Sequence, residues 1–172
     1  MKPTSVHVPA DSGLLHLLHR AGQCADELFT TAIGGLDLTP RQYAVLIAAA
    51  RTDDLSQTAI VDHTGIDRST IADIVRRLVD RGLLQRRRTR QDARTYAVRL
   101  TPAGRNAVTA AVPCARQTDD RLLAMLVPAQ RAQLVDALQR MVASLGPITS
   151  AGGTPRKPAG IELKSRQRAR SA

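Results

Sequence analysis

Large aromatic side chains are nearly missing from this chain. Its 172 residues include one Phe, two Tyr and no Trp. With only Phe29, Tyr43 and Tyr96 available, a base-stacking surface of the single-strand-reading kind is excluded. Cysteine is also scarce. Cys24 and Cys114 make neither a disulfide framework nor a zinc ribbon, and the expected compartment is a reducing cytoplasm. No apolar run approaches 18 residues, so no membrane span is expected. The start, MKPTSVHVPADSG, has no apolar h-region, and no signal peptide is expected. There is no Gly-rich phosphate loop, no G-x-S-x-G and no H-E-x-x-H, and the four His show no triad spacing. An enzyme is therefore not expected, and neither is a cofactor.

What is plentiful is arginine. The chain carries 25 Lys+Arg against 15 Asp+Glu, a formal +10 with a pI of about 11.1. Only Lys2, Lys157 and Lys164 are lysines; the rest are Arg. Arginine's planar fork suits phosphate and guanine. The charge is also local. Residues 1–80 are net negative, whereas 81–99 hold seven Arg and one Asp, and 146–172 hold six cations and one Glu. A concentrated basic block is the electrostatic footprint of a nucleic-acid reader.

Periodicity and capping signals divide the chain. Residues 11–33 read as an amphipathic helix, with Leu14, Leu15, Leu17, Leu18, Ala21, Ala25, Leu28 and Phe29 on its apolar stripe. Gly34 and Gly35 end it. Thr39-Pro40-Arg41-Gln42 reads as a capping box with Pro at the first helical position. Ser56 caps a short helix over 57–64, and Gly65 permits a tight turn. Asp67 caps a helix over 68–81, which Gly82 closes. Two short strands, 83–88 and 95–100, flank a polar tip. Alternation puts Tyr96, Val98 and Leu100 on the inner face. A long helix over 102–126, bent at Pro113, and a last helix over 128–145 follow. The latter carries Leu134, Val135, Leu138, Met141, Val142 and Leu145 at helical spacing. From 146 the composition turns to Pro, Gly, Ser and basic residues, read as a disordered tail. The fold class is mainly α with a small β wing: a winged helix-turn-helix framed by long helices.

On the helix over 68–81, Ile71, Ile74, Val75 and Leu78 fall on one face. Ser69, Asp73, Arg76 and Asp80 fall on the other, with Arg77 at its flank. A recognition helix uses such outward residues in a major groove. The alternative is an ordinary solvated amphipathic helix, and the basic block directly behind it favours the DNA reading. In the hairpin, Arg86, Arg87, Arg88, Arg90 and Arg94 suit a narrow minor groove. Asp92 is read as orienting Arg94 or pinning the turn, or as a plain exposed ion pair.

The run QTAIVDHTGIDRSTIADIVRRLVDRGLLQRRRTRQDARTYAVRLTPAGR, 57–105, resembles the DNA-binding core of the MarR family of regulators. The D-x-R-x-x-x-V-x-L-T segment is Asp92, Arg94, Val98, Leu100 and Thr101. The L-T-x-x-Q-Y-x-x-L segment is Leu38, Thr39, Gln42, Tyr43 and Leu46. Thr64 departs from the pattern, which has Leu there. The resemblance implies a homodimer built from the helices over 11–33 and 102–145, within a domain spanning 1–145. The DNA-binding core would span 55–101. It implies a repressor on double-stranded DNA, bound to a short inverted repeat and released by a small, often phenolic, ligand. By motif position, Arg68, Ser69, Thr70, Asp73, Arg76 and Arg77 would meet the major groove. Arg86, Arg88, Arg90, Asp92 and Arg94 would form the wing contact, with Arg94 in the minor groove. Within the family, the chain looks similar to regulators of aromatic-acid catabolism, some of which sense aromatic acyl-CoA thioesters.

No ligand motif is visible. The candidates for an effector site are His16, His19, Arg20, Cys24 and Tyr43, each of which also has a plain packing or solvation reading. His16 and His19 alone do not make a metal site. Cys24, one turn after Arg20, opens a redox-responsive alternative, against the common case of an inert thiol. A ligand-free architectural DNA-binding protein is a further alternative, as the charges are the same. The tail's six cations could grip DNA, meet the phosphates of a CoA-type ligand, or only solubilise.

Overall fold

The computed structural model describes residues 13–88 and 96–145. The expected wing tip, including Arg90, Asp92 and Arg94, and the tail from 146 lie outside them. The described elements follow the expected order. They are α1 (Leu14–Ile33), α2 (Pro40–Arg51), β1 (Leu55–Ser56), α3 (Gln57–Thr64), α4 (Arg68–Asp80), β2 (Leu84–Arg88), β3 (Tyr96–Leu100), α5 (Pro102–Leu123) and α6 (Pro128–Leu145). A single 3-10 turn, Gly34–Leu36, joins α1 to α2. Among these residues no helix is long and apolar enough to cross a membrane.

Local chemistry sets the helix starts. Thr39 Oγ1 accepts from the Gln42 N–H at 3.2 Å, and Gln42 Oε1 accepts from the Thr39 N–H at 3.1 Å. That is the expected reciprocal box, with Pro40 at the position that has no need of an N–H. Ser56 caps α3 and Thr101 caps α5. Thr64 donates to the Ile60 carbonyl at 2.7 Å and accepts from the Ile66 N–H at 3.3 Å. It thus closes the α3 end around Gly65, whose φ of +68° is left-handed. The departure from Leu at this position has a local use.

The core lies under the helix-turn-helix. Val45 and Leu46 of α2, Ile60 of α3, Ile71, Val75 and Leu78 of α4, and Leu84 and Val98 of the sheet are all buried. The sheet is antiparallel in the order β1-β3-β2, with Leu84 opposite Leu100 and Arg86 opposite Val98.

Three findings differ from the expectations or add to them. First, β1 was not foreseen. It is two residues long, below the length at which alternation can be read. Second, the inner row of β3 holds at Val98 and Leu100 but not at Tyr96, which is exposed, and Ala97 of the other row is buried too. β3 is the central strand, so a small side chain such as Ala97 is covered from both neighbours, whereas Tyr96 stands at the open wing end. Third, the apolar rows of α1 and α6 are not buried. Leu14, Leu15, Leu17 and Leu18 are exposed, and in α1 only Phe29 and Ile33 are buried. In α6 no residue is buried, and Leu134, Val135, Leu138, Val142 and Leu145 face outward. The spacing was read correctly, but these rows face away from the chain's own core. α5 passes through Pro113 as one helix and ends at Leu123, short of the expected 126.

One glycine is fixed by space alone. A Cβ on Gly104, at the start of α5, would lie 2.0 Å from the Leu83 carbonyl oxygen and 3.0 Å from Leu100 Cδ2. The oxygen is backbone and cannot turn aside. Gly104→Ala is therefore expected to destabilise the fold by at least about 2 kcal/mol in denaturant unfolding. A midpoint equal to wild type would show that α5 is not held this close.

Candidate nucleic-acid interface

The candidate reading face is built outward from α4. Asp67 Oδ1 accepts from the Thr70 N–H at 2.9 Å and from the Ser69 hydroxyl at 2.5 Å. The Ser69 and Thr70 bonds hold the Asp67 carboxyl well below the usual carboxylate range. At the other end, Gly82 at φ +70° donates to the Val79 carbonyl, and Leu83 donates to the Leu78 carbonyl. This is a Schellman closure. Between these ends Ile71, Ile74, Val75 and Leu78 are buried, which leaves the opposite face no choice but solvent.

That outer face is exposed at Arg68, Ser69, Ala72, Arg76 and Arg77, and partly exposed at Thr70 and Asp73. Two of its arginines are paired with aspartates of the same helix. Asp73 takes Arg76 at 2.7 Å through one oxygen and Arg77 at 2.8 Å through the other. Asp80 reaches Arg76 at 3.5 Å. The hydrogen bond from Arg76, reinforced by Arg77, lowers the Asp73 pKa.

Arg86 and Arg87 on β2 are exposed. The side chain of Arg88 and all of Arg90, Asp92 and Arg94 lie outside the described residues, so the proposed pairing of Asp92 with Arg94 does too. Two arginines of the basic block prove structural. Arg81 donates to the Asp37 carbonyl at 2.7 Å and pairs with its carboxylate at 3.4 Å. It thereby ties the end of α4 to the turn before α2, where Asp37 is left-handed at φ +48°. Arg99 of β3 meets both oxygens of Asp53, each at 3.2 Å. Charge counting along the sequence could not separate these struts from the other cations. Their one signal was an aspartate in each of two turns far away in sequence.

The five effector candidates are not gathered into one site. His16, His19, Arg20 and Cys24 lie on the exposed surface of α1. There Gln23 contacts His19 at 3.1 Å and accepts from Arg20 at 3.0 Å. Tyr43 stands apart on α2, half-buried against Phe29 with ring centroids 5.0 Å apart. Burial, and then the Asp119 carboxylate of α5, raise its phenol pKa, while Arg116 opposes. A groove of about 680 Å³ opens instead between α3 and α6, lined by Asp62, His63, Leu138, Met141 and Val142, with Leu18 from α1. None of the five lines it. Among the described residues no group of three or more His, Cys, Asp or Glu could hold a metal ion.

A helix-turn-helix with a three-stranded wing and arginines across α4 and β2 defines a winged-helix DNA-binding protein. The MarR family model matches residues 36–95. The repressor NicR of Pseudomonas putida is 32% identical over 129 residues, covering 75% of this chain and 82% of NicR. This chain belongs to the MarR family of winged-helix transcriptional regulators. Among solved structures, Bordetella bronchiseptica BpsR, whose DNA binding is regulated by 6-hydroxynicotinic acid, is 35% identical with a TM-score of 0.70. The match covers 74% of this chain and 97% of BpsR. Rhodococcus jostii CouR, solved bound to p-coumaroyl-CoA, is 26% identical with a TM-score of 0.66, covering 74% of this chain and 90% of CouR.

The Asp67 cap carries a pH signature. Its pKa is depressed in the fold, so its charge stabilises above the unfolded carboxyl value of about 3.9 and the benefit fades as pH falls below it. Asn is an equally good cap without the charge. The melting temperature of wild type is expected to exceed that of Asp67→Asn at pH 7. The gap should shrink steadily as pH is taken from about 5 to 3. A gap that does not change with pH would remove the charge from the cap's role.

Proposed function

We propose that the chain is a dimeric repressor that binds an inverted-repeat operator and is released by a small aromatic carboxylate or its CoA thioester. The observation that carries the DNA part is the exposed arginine surface running from α4 onto β2, set on a core that fixes its outward direction. In this reading Arg68, Ser69, Thr70, Asp73, Arg76 and Arg77 meet the major groove. Arg86, Arg88, Arg90, Asp92 and Arg94 form the wing contact, with Arg94 in the minor groove. Repression is the reading favoured by NicR, a repressor by name.

The dimer reading rests on the apolar rows of α1 and α6. Leu15 is 83% exposed and Val142 73%. Exposed apolar rows of this kind are costly in water and mark an association face. The effector reading rests on two relatives: BpsR, regulated by the aromatic carboxylate 6-hydroxynicotinic acid, and CouR, bound to the aromatic acyl thioester p-coumaroyl-CoA. Arg20, exposed on α1, supplies a guanidinium for the carboxylate, with His16, His19 and Cys24 as further candidates on the same helix and Tyr43 as a separate one on α2.

Two measurements test this reading. Val142→Glu is expected to turn a dimer into a monomer at micromolar concentration in sedimentation; an unchanged dimer would place the interface elsewhere. The second is a release assay on duplex DNA enriched by the protein from a random library, with aromatic carboxylates, their CoA thioesters and peroxide as separate arms. Release by a carboxylate or thioester, weakened at least about tenfold by Arg20→Ala, is the expected result. Release by peroxide alone would move the switch to Cys24. Failure to prefer any sequence over random DNA would point to architectural binding. In the same assay Arg94→Ala should abolish specific binding at an unchanged melting temperature.

A further inference from the structure

The outer face of α4 is neutral as a unit. Arg68, Arg76 and Arg77 are balanced by Asp67, Asp73 and Asp80. The balance is also geometric, because one carboxylate, Asp73, holds two guanidiniums at once, at 2.7 and 2.8 Å. Both arginines are more than half exposed, and among the described residues the ion pairs that hold them are those to Asp73 and the weaker one to Asp80. A protein that needed only phosphate affinity would gain from leaving these cations unpaired.

We propose that Asp73 is a specificity-determining gate on the recognition helix. It keeps Arg76 and Arg77 off the phosphates of arbitrary DNA, and yields them where a matching base edge compensates. The inference rests on the reading of α4 as the groove-facing helix. Its physical basis is that a phosphate offers the arginines nothing the carboxylate does not already provide. A random duplex therefore gains little from them. A cognate site can offer Asp73 a substitute donor, such as the cytosine amine, while guanine takes an arginine bidentately. The exchange is then favourable only at the right sequence. General affinity is left to the wing, where Arg86 and Arg87 lie exposed on β2.

Asp73→Asn tests the gate, with Asp80→Asn as the control. Each removes one negative charge from the same helix face, so any general effect of net charge is common to both. Asp80 touches a single arginine at 3.5 Å, whereas Asp73 touches two at under 3 Å. Affinity is measured for a random-sequence duplex and for a duplex enriched by the wild type from a random library, each across a salt series. For Asp73→Asn, random-duplex affinity should rise about fivefold, the size expected from freeing two exposed pairs. The log–log salt slope on random DNA should steepen by up to about two, at about 0.9 per phosphate gained. The preference for the enriched duplex should fall at least about threefold. Asp80→Asn should change each quantity by less than about twofold. Added to an Arg76→Gln, Arg77→Gln double variant, Asp73→Asn should do no more than Asp80→Asn, which excludes an effect through folding. Equal effects of the two aspartate variants, or an undiminished preference, overturn the gate while DNA recognition stands. A wild type that enriches no sequence and binds no duplex overturns the recognition reading, and the gate with it.

Discussion

The junction at Thr101 joins everything else in this molecule. Its hydroxyl donates to the Gly82 carbonyl at 2.6 Å and accepts from the Gly104 N–H at 3.0 Å. Its own N–H donates to the Leu83 carbonyl at 3.1 Å. Gly104 sits so close to that carbonyl that no side chain fits between them. Four segments therefore meet within one residue's reach: the end of α4, the start of β2, the end of β3 and the start of α5. Helix α4, the sheet and α5 thus share one hydrogen-bonded corner. Helix α5, which packs along α1, is thereby bonded to the turn that ends α4. Arg81 adds a second tether from that turn to Asp37, at the exit of α1. In the proposed reading, a ligand that shifted the framing helices would have a short route to the surface of α4.

The formal charge of +10 overstates what nucleic acid would meet on the described fold. Arg81 and Arg99 are struts, and Arg76 and Arg77 are held by Asp73. What remains prominent on β2 is Arg86 and Arg87. Placement matters more than the total: neutral where bases would be read, basic where backbone would be gripped. This fits the physical division between contacts that specify and contacts that position.

Much of the fold was legible in the sequence because its signals are local. The box at Thr39 and Gln42, the caps at Ser56 and Asp67, and the glycines at 65 and 82 all act over a few residues. The inner face of α4 was legible for the same reason, since Ile71, Ile74, Val75 and Leu78 repeat at the helical period. What escaped depends on distant partners. β1 is too short for a pattern and exists only because β3 pairs with it. The burial of Ala97 comes from strands on both sides. The leucines of α1 and α6 were correctly read as one stripe each, yet periodicity cannot say which surface a stripe covers. For the site, the outward direction of Arg76 and Arg77 was legible, and their capture by Asp73 was not, although spacings of three and four residues permit it. The effector candidates were chosen by residue type alone, and the fold separates Tyr43 from the polar row on α1.

Footprinting of the protein on DNA enriched from a random library tests the central claim, that paired winged helices read one duplex, most directly. Two protected half-sites related by inverted symmetry, with centres about one helical turn apart on the same face of the DNA, are expected. Diffuse protection without a boundary, or a single half-site, would contradict it.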